Sequence, residues 1–147
     1  MVTRMHKMLT DMTENDVARI LRGAGLRPTR QRVALAQLLF APGDRHVTAE
    51  VLHEEAQAKR VPVSLATVYN TLHQLTEVGL LREVAVEGAK TYFDTNTCNH
   101  YHFFCEHSGR LMDIPTADIR IEGLPEAPEG KTIARVDVLV RLVDKSS

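Results

Sequence analysis

Helix-start signals, each at a Ser or Thr, divide the first half of this 147-residue chain into short helices. A hydroxyl at such a position accepts a hydrogen bond from a backbone N–H that the first helical turn leaves unpaired. At Thr13 the signal is extended by Asp16, in the arrangement of a capping box. Gly or Pro follows shortly after each run. The signals predict helices over residues 14–24, 30–41, 49–59 and 65–78, capped by Thr13, Thr29, Thr48 and Ser64.

The fourth predicted helix separates an apolar face from an uncharged polar face. We expect its core stripe to consist of Leu65, Val68, Leu72 and Leu75. The opposite face carries Thr67, Asn70, Thr71 and Gln74, with Tyr69 at its flank. A solvated helix usually carries more Lys and Glu, whereas neutral donors, acceptors and a tyrosine suit base edges and thymine methyls. With helix 49–59 before it, this helix predicts a helix-turn-helix that reads DNA.

Five arginines and no acidic residue lie between Val17 and Gly43. Three of them, Arg27, Arg30 and Arg32, cluster around the start of the second helix, and a helix N-terminus itself attracts anions. Because the formal net charge is −1, any affinity for nucleic acid must come from such a local patch. We interpret the cluster as a phosphate-binding site. A solvated basic face is the alternative.

Beyond Gly79 the pattern changes to that of short strands. Residues 80–86 and 89–94 flank Glu87-Gly88 and are typical of a β-wing. Further strands are predicted at 100–106, 110–114 and 132–143, with a helical turn at 116–121. In the last strand we expect Ile133, Val136 or its neighbours, Val138 and Val140 to face inward.

The predicted fold class is therefore α+β. An N-terminal winged helix-turn-helix domain covers residues 1–95, and a small C-terminal α/β domain covers residues 96–147. The second domain is too short to bury a sufficient core alone, so we expect it to form a homodimer.

The chemistry of a metal site is concentrated in one stretch, residues 92–114. His100 and His102 are two apart in a predicted strand, which puts them on one face with Cα atoms roughly 7 Å apart. Asp94 precedes them, and a turn at Ser108-Gly109 would place Asp113 opposite Phe104, diagonal to His102. Two imidazoles and two carboxylates suit iron, manganese or zinc. The alternative is a pair of half-buried polar residues in an edge strand.

The two cysteines, Cys98 and Cys105, are too few for a disulfide scaffold and fit a reducing cytoplasm. The N-terminal residues contain no apolar leader segment, and no stretch is long enough to span a bilayer. These features predict a soluble cytoplasmic protein without a membrane partner.

The order of these motifs resembles the ferric uptake regulator family of bacterial metal-dependent repressors. The similar segments are GLRPTRQR, VPVSLATVYNTL, a wing and then H-x-H. Within the family, the segments LRPTRQRVALAQLLF, KTYFDTN and ARVDVLVRL resemble the sequences of its iron response regulator branch. The resemblance implies a dimeric regulator, mainly a repressor, that binds AT-rich pseudo-palindromic operators on double-stranded DNA. The leading hypothesis is that it represses or activates genes of iron and haem metabolism in response to iron status.

The resemblance also implies residue roles in DNA binding. Tyr69 matches a recognition-helix tyrosine that contacts bases, Arg27 matches a basic residue that reaches the minor groove, and Asn70 replaces an arginine of many relatives. The full expected set is Arg27, Thr29, Arg30, Gln31, Arg32, Ser64, Ala66, Thr67, Tyr69 and Asn70.

At the sensing end, the resemblance adds His46. His46, Asp94, His100, His102 and Asp113 match the regulatory site of the peroxide-sensing branch, so we expect one divalent ion between the two domains. The iron response branch further implies haem, with His100, His102, Cys98, Cys105 or Tyr101 as axial ligands. A Cys₄ structural zinc is not expected, because its CxxC pairs are missing.

Two other functions remain open from the sequence. One is a peroxide sensor in which a ligand histidine is oxidised. The other is a non-haem iron enzyme with His100, His102 and a carboxylate as a facial triad.

Overall fold

The computed structural model describes residues 13–86, 88, 90–115 and 118–146. The chain divides after Cys98 into two compact units, the N-terminal unit and the C-terminal unit. The predicted tail over residues 1–12 lies outside the described residues. No described helix has the length and apolar character needed to cross a bilayer.

Helices of the N-terminal unit begin where the hydroxyl signals predict. They are α1 (Glu14–Gly23), α2 (Arg30–Phe40), α3 (Ala49–Ala58) and α4 (Leu65–Glu77). Each predicted cap residue accepts a hydrogen bond from the backbone N–H three positions on, so all four starts are confirmed. Each helix ends one residue earlier than predicted, because the last expected residue is the C-cap.

The capping box of α1 forms in full. The Asp16 amide donates to Thr13 Oγ1 over 3.3 Å, and the Thr13 amide donates to Asp16 Oδ2 over 3.1 Å. That second bond, from the Thr13 backbone, is the main cause that holds the pKa of Asp16 below its ordinary value. The carboxylate thus satisfies a backbone donor that the helix leaves open.

The core of the N-terminal unit is made where the apolar faces of the helices meet strand residues. Its fully buried side chains include Leu21, Leu35, Leu39, Leu52, Val68, Leu72, Leu75 and Phe93. Two expectations for α4 are wrong. Leu65 is 36% exposed, because it lies in the first turn at the end of the helix, and Thr71 is only 5% exposed, because it lies between core residues Val68 and Leu75 on the buried side.

A three-stranded antiparallel sheet completes the N-terminal unit. Its strands are β1 (His46–Val47), β2 (Arg82–Val84) and β3 (Tyr92–Asp94), with β3 in the centre. The two wing strands are confirmed, although both are shorter than predicted, and Glu87 and Ala89 between them lie outside the described residues. Strand β1 was not predicted, because two residues carry no periodicity. It pairs His46 with Asp94 and Val47 with Phe93.

The C-terminal unit contains a second sheet of β4 (Tyr101–Cys105), β5 (Leu111–Ile114) and β6 (Leu139–Leu142), with β4 in the centre. Strands β4 and β5 are antiparallel, and His102 lies directly opposite Asp113. The predicted pairing of Asp113 with Phe104 is therefore wrong. The loop is centred one residue earlier than expected: Cys105 N donates to Arg110 O over 2.9 Å. The partner of Asp113 thus moves by two residues, from Phe104 to His102. Because side chains alternate along a strand, Asp113 stays on the expected face.

Strand β6 runs parallel to β4 and is much shorter than the predicted strand over 132–143. The ladder joins Leu139–Leu142 to His102–Cys105, and His102 N also donates to Val138 O over 3.2 Å. Ile133 is accordingly 48% exposed rather than inward. Of the helical turn predicted at 116–121, Thr116 and Ala117 lie outside the described residues.

Candidate nucleic-acid interface and metal centre

Helix α4 presents part of the uncharged polar face that the sequence predicts. Ala66 and Asn70 are exposed and Thr67 is half-buried. Ser64 Oγ accepts from Thr67 N over 3.1 Å and lies 2.9 Å from Thr67 Oγ1. The Ser64 hydroxyl therefore holds the start of α4, while the side chains of Ala66, Thr67 and Asn70 stand on its accessible side.

The predicted arginine cluster separates into two kinds of residue. Arg27 and Arg30 are exposed, as a phosphate-binding role requires. Arg32 is half-buried, and its guanidinium donates to Arg27 O over 2.5 Å and to Gln74 Oε1 over 2.8 Å. Arg32 and Gln74 thus join α2 to α4, so Gln74 is engaged inside the unit instead of facing outward.

Two further predicted contact residues form hydrogen bonds within the N-terminal unit. Gln31 Nε2 donates to Pro62 O over 2.9 Å, which attaches α2 to the segment between α3 and α4. Thr29 Oγ1 accepts from Arg32 N over 3.2 Å as the cap of α2. His53, on α3, lies 3.2 Å from Val63 O through Nε2. The contacts of Gln31 and His53 thus attach the segment between α3 and α4 to α2 and α3.

Tyr69 has a partner that the sequence did not indicate. Its hydroxyl donates to Glu50 Oε1 over 2.7 Å, and Glu50 stands in the first turn of α3. A lone Glu in a first turn is ordinarily explained by the helix dipole, so no pattern pointed to it. The Tyr69 ring also stacks with His73 at 6.4 Å between centroids, and the His73 ring is T-shaped to the buried Phe93 ring, with centroids 5.6 Å apart.

Within the N-terminal unit, His46 and Asp94 form one pair of possible metal ligands. Their strands place them opposite each other, and His46 Nε2 lies 3.2 Å from Asp94 Oδ2. The Asp94 side chain is 1% exposed, and its other oxygen, Oδ1, accepts from Asn96 N over 2.9 Å. The backbone therefore occupies one carboxylate oxygen and turns the other toward the imidazole.

Within the C-terminal unit, His100, His102 and Asp113 form a second cluster. Nε2 of His100 and Nε2 of His102 lie 3.2 Å and 3.5 Å from the same atom, Asp113 Oδ1. The imidazole centroids are 4.5 Å apart. Both imidazoles are buried, at 6% and 3% exposure. Cross-strand pairing of His102 with Asp113 explains this convergence, and His100, just before β4, joins from the strand start.

The donor set of the C-terminal cluster fits a divalent ion. The ligand atoms of His100, His102 and Asp113 all lie within 4.8 Å of one another. Ligands about 2.0–2.2 Å from one ion stand roughly 3–4 Å apart, so small side-chain movements would suffice. Imidazole nitrogen and carboxylate oxygen are the donors that iron, manganese and zinc accept. Burial of two imidazoles against one carboxylate also favours a cation there.

A helix-turn-helix with a wing, joined to a unit that carries a His/Asp cluster, is the architecture of a metal-responsive transcription regulator. The sequence model of the Ferric uptake regulator family matches residues 23–138, and the chain belongs to that family. Its members are transcription regulators, so the facial-triad enzyme is not the function of this chain.

Similar proteins include a "Peroxide-responsive repressor PerR" of Staphylococcus epidermidis, which is 37% identical over 94 residues, 64% of this chain and 62% of that protein. The match thus spans less than two thirds of the relative. Among solved structures, the ferric uptake regulator of Pseudomonas aeruginosa with manganese is 26% identical, with a TM-score of 0.69 over 92% of this chain and 100% of that one. The Vibrio cholerae ferric uptake regulator, 20% identical, covers 86% and 98% with a TM-score of 0.68 and supports the fold alone.

Proposed function

We propose that this chain is a dimeric DNA-binding repressor of iron and haem metabolism genes whose affinity for its operator depends on a divalent metal. The observation that carries the proposal is the convergence of His100 and His102 on one Asp113 oxygen, in a chain that also contains a winged helix-turn-helix. The proposed regulator acts in the cytoplasm, where bacterial DNA lies, and needs no membrane.

DNA reading is assigned to α4. Asn70 is exposed and its amide can bond both N6 and N7 of adenine, while the Ala66 methyl and the Tyr69 ring suit thymine methyls. This chemistry supports an AT-rich operator. Arg27 and Arg30 would bind phosphates and fix the register of α4 in the major groove. A dimer then reads two half-sites one helical turn apart, which makes the operator pseudo-palindromic.

The metal-dependent step is assigned to His46, Asp94, His100, His102 and Asp113. We propose that the pair in the N-terminal unit and the cluster in the C-terminal unit supply five donors to one ion, which favours one arrangement of the two units. Three nitrogens and two oxygens suit iron or manganese, and also zinc. Asp94 binds through Oδ2, because Oδ1 is held by Asn96. Asp113, with a 39% exposed side chain, is the open entrance of the cluster.

Dimerisation is assigned to the C-terminal unit. Several large apolar side chains of this unit are exposed, namely Ile121, Leu124, Ile133 and Val143. Val143, at 75% exposure, directly follows β6, which is a strand on one side of the sheet. A second copy of the chain would cover this surface and extend the small core.

The test is a binding titration with the purified full-length chain. Duplexes selected from a randomised pool are titrated with metal-free protein, and then with Mn(II), Fe(II) or haem added separately. We expect Mn(II) or Fe(II) to change affinity about 5–150-fold, the usual range of coupling between two sites. Haem is the weaker candidate, because His100 and His102 are buried and a haem would have to open the sheet to reach them.

Matched variants make the titration specific. His102→Ala should abolish the metal effect and leave metal-free binding unchanged. His107→Ala removes an exposed imidazole from the β4–β5 loop and should behave as the wild type. Equal metal dependence in both variants would remove the site assignment, and a wild type that selects no sequence would remove the DNA-reading assignment.

A peroxide sensor is the second candidate, favoured by the similarity to the staphylococcal repressor. In this case the iron-loaded protein treated with peroxide gains one oxygen on His46 or His100, and mass spectrometry of the peptides detects it. Manganese-loaded protein is the control and stays unmodified. Unmodified histidines in the iron-loaded protein would eliminate this candidate.

A further inference from the structure

The Tyr69–Glu50 hydrogen bond fixes which way the tyrosine hydroxyl points. The phenol carries a single hydrogen, and it is donated to Glu50 Oε1 over 2.7 Å. An ionised carboxylate is an acceptor only, so the direction of this bond cannot reverse. The ring is held as well, because Tyr69 packs against the core cluster and stacks with His73.

We propose that Glu50 is a specificity-determining residue that makes Tyr69 an acceptor toward DNA, so that α4 selects an exocyclic amino group of adenine or cytosine at the base pair facing Tyr69. The inference rests on the proposed function, because it requires α4 to enter the major groove. Glu50 acts through Tyr69 and is a positioning residue.

The hydrogen-bond donors and acceptors that bases present in the major groove explain this selectivity for an amino group. Adenine N6 and cytosine N4 are donors there, whereas guanine O6 and N7 and thymine O4 are acceptors. With its hydrogen committed to Glu50, the Tyr69 oxygen has only lone pairs to offer. A guanine or thymine acceptor at that place would face those lone pairs, while an amino group would complete a hydrogen bond.

Protonation keeps this arrangement stable. The hydrogen bond from Tyr69 is the main cause that lowers the pKa of Glu50, and the same bond raises the pKa of Tyr69. Glu50 therefore stays an ionised acceptor and Tyr69 stays a protonated donor around neutral pH. The position of Glu50 in the first turn of α3 also favours its negative charge.

Three variants test the inference by selection from a randomised duplex pool with Mn(II). Tyr69→Phe removes the hydroxyl and identifies the base-pair position that Tyr69 reads, because preference is lost there. Glu50→Ala frees the hydroxyl to donate, so guanine and thymine should become accepted at that same position. Glu50→Gln offers an amide that can accept from the hydroxyl or donate to it, so it should relax the preference, but less than Glu50→Ala does.

The affinity measurement uses a selected duplex in which that base is replaced by an analogue lacking the amino group. The wild type should lose about 10-fold in affinity, whereas Tyr69→Phe should lose little. Circular dichroism checks that each variant is folded. Two results would overturn this inference and leave the proposed function standing. One is a preference of the wild type for guanine or thymine at that position, and the other is an unchanged preference in folded Glu50→Ala. Failure of the wild type to select any sequence overturns the proposed function and the inference together.

Discussion

Substitution of Asp94 by Asn separates metal binding from folding at the pair in the N-terminal unit. The Asn side chain keeps an oxygen for the Asn96 amide, which now donates to Asp94 Oδ1 over 2.9 Å, and places an NH₂ where Oδ2 faces His46. An amide nitrogen carries hydrogens and offers no lone pair to a cation. The metal-free protein should therefore remain folded while the ion loses one charged ligand.

The size of the expected effect follows from the thermodynamic linkage between metal binding and folding. Removal of an outer partner of a ligand costs about 10–100-fold in metal affinity, so removal of the ligand itself should cost at least about 100-fold. Mn(II) at roughly 1,000 times the wild-type Kd stabilises the wild type by about 4.1 kcal/mol, and the variant, at only about 10 times its own Kd, by about 1.4 kcal/mol. At roughly 3 °C per kcal/mol for a chain of this length, the Mn(II)-induced rise in Tm should fall by about 8 °C.

Differential scanning calorimetry with and without Mn(II) measures this difference. Asp118→Asn, which removes an exposed carboxylate elsewhere, is the control and should keep the full Mn(II) effect. Asp94→Ala should in addition lower the metal-free stability by about 1–3 kcal/mol, because the Asn96 amide loses its acceptor. An Asp94→Asn protein with the wild-type Mn(II) shift would refute the assignment of Asp94 as a ligand.

Four further outcomes are expected. Leu72→Ala should lower the free energy of unfolding by about 2–5 kcal/mol in urea titrations, and Leu65→Ala, at an exposed helix start, by under about 1 kcal/mol. Tyr69→Ala should weaken specific DNA binding by about 1–3 kcal/mol in fluorescence anisotropy without loss of fold. Arg30→Ala should weaken binding to all sequences alike and reduce the slope of log affinity against log salt by about 1, which a salt series measures. The pKa of Asp16 is lower in the folded than in the unfolded protein. Asp16 therefore stabilises the folded state at pH values above its unfolded pKa, and this stabilisation is lost as pH falls through its folded pKa. The Tm difference between wild type and Asp16→Ala should accordingly vanish in acid.

The helical half of the fold was predictable because its signals are local. A hydroxyl at the cap, as at Thr29 or Ser64, acts within four residues, and the structure keeps every predicted start. Strand β1 could not be found, because pairing of His46 with Asp94 joins residues far apart in sequence and two residues show no period. The length of β6 was predicted wrongly for the same reason, because it depends on how many of its residues pair with β4, a strand distant in sequence.

The candidate site shows the same division between local and distant information. The shared face of His102 and Asp113 followed from strand parity, but their direct pairing depended on where the loop after Cys105 is centred. The commitment of Tyr69 to Glu50 depends on the packing of α3 against α4, which periodicity does not determine. Roles implied by the resemblance, such as that of His46, remain predictions for the experiments above.

The contact between His73 and Phe93 has a spectroscopic consequence. The Phe93 and His73 rings are T-shaped to each other, at an interplanar angle of 79°, and Phe93 adjoins Asp94 along β3. The ring current of Phe93 therefore acts on the imidazole protons of a residue one turn from Tyr69 on α4. A displacement of β3 on metal binding would change the NMR frequencies of His73, an exposed residue outside the proposed ligand set. One assigned histidine signal can thus report, in solution and without DNA, whether events at Asp94 reach the helix that reads the operator.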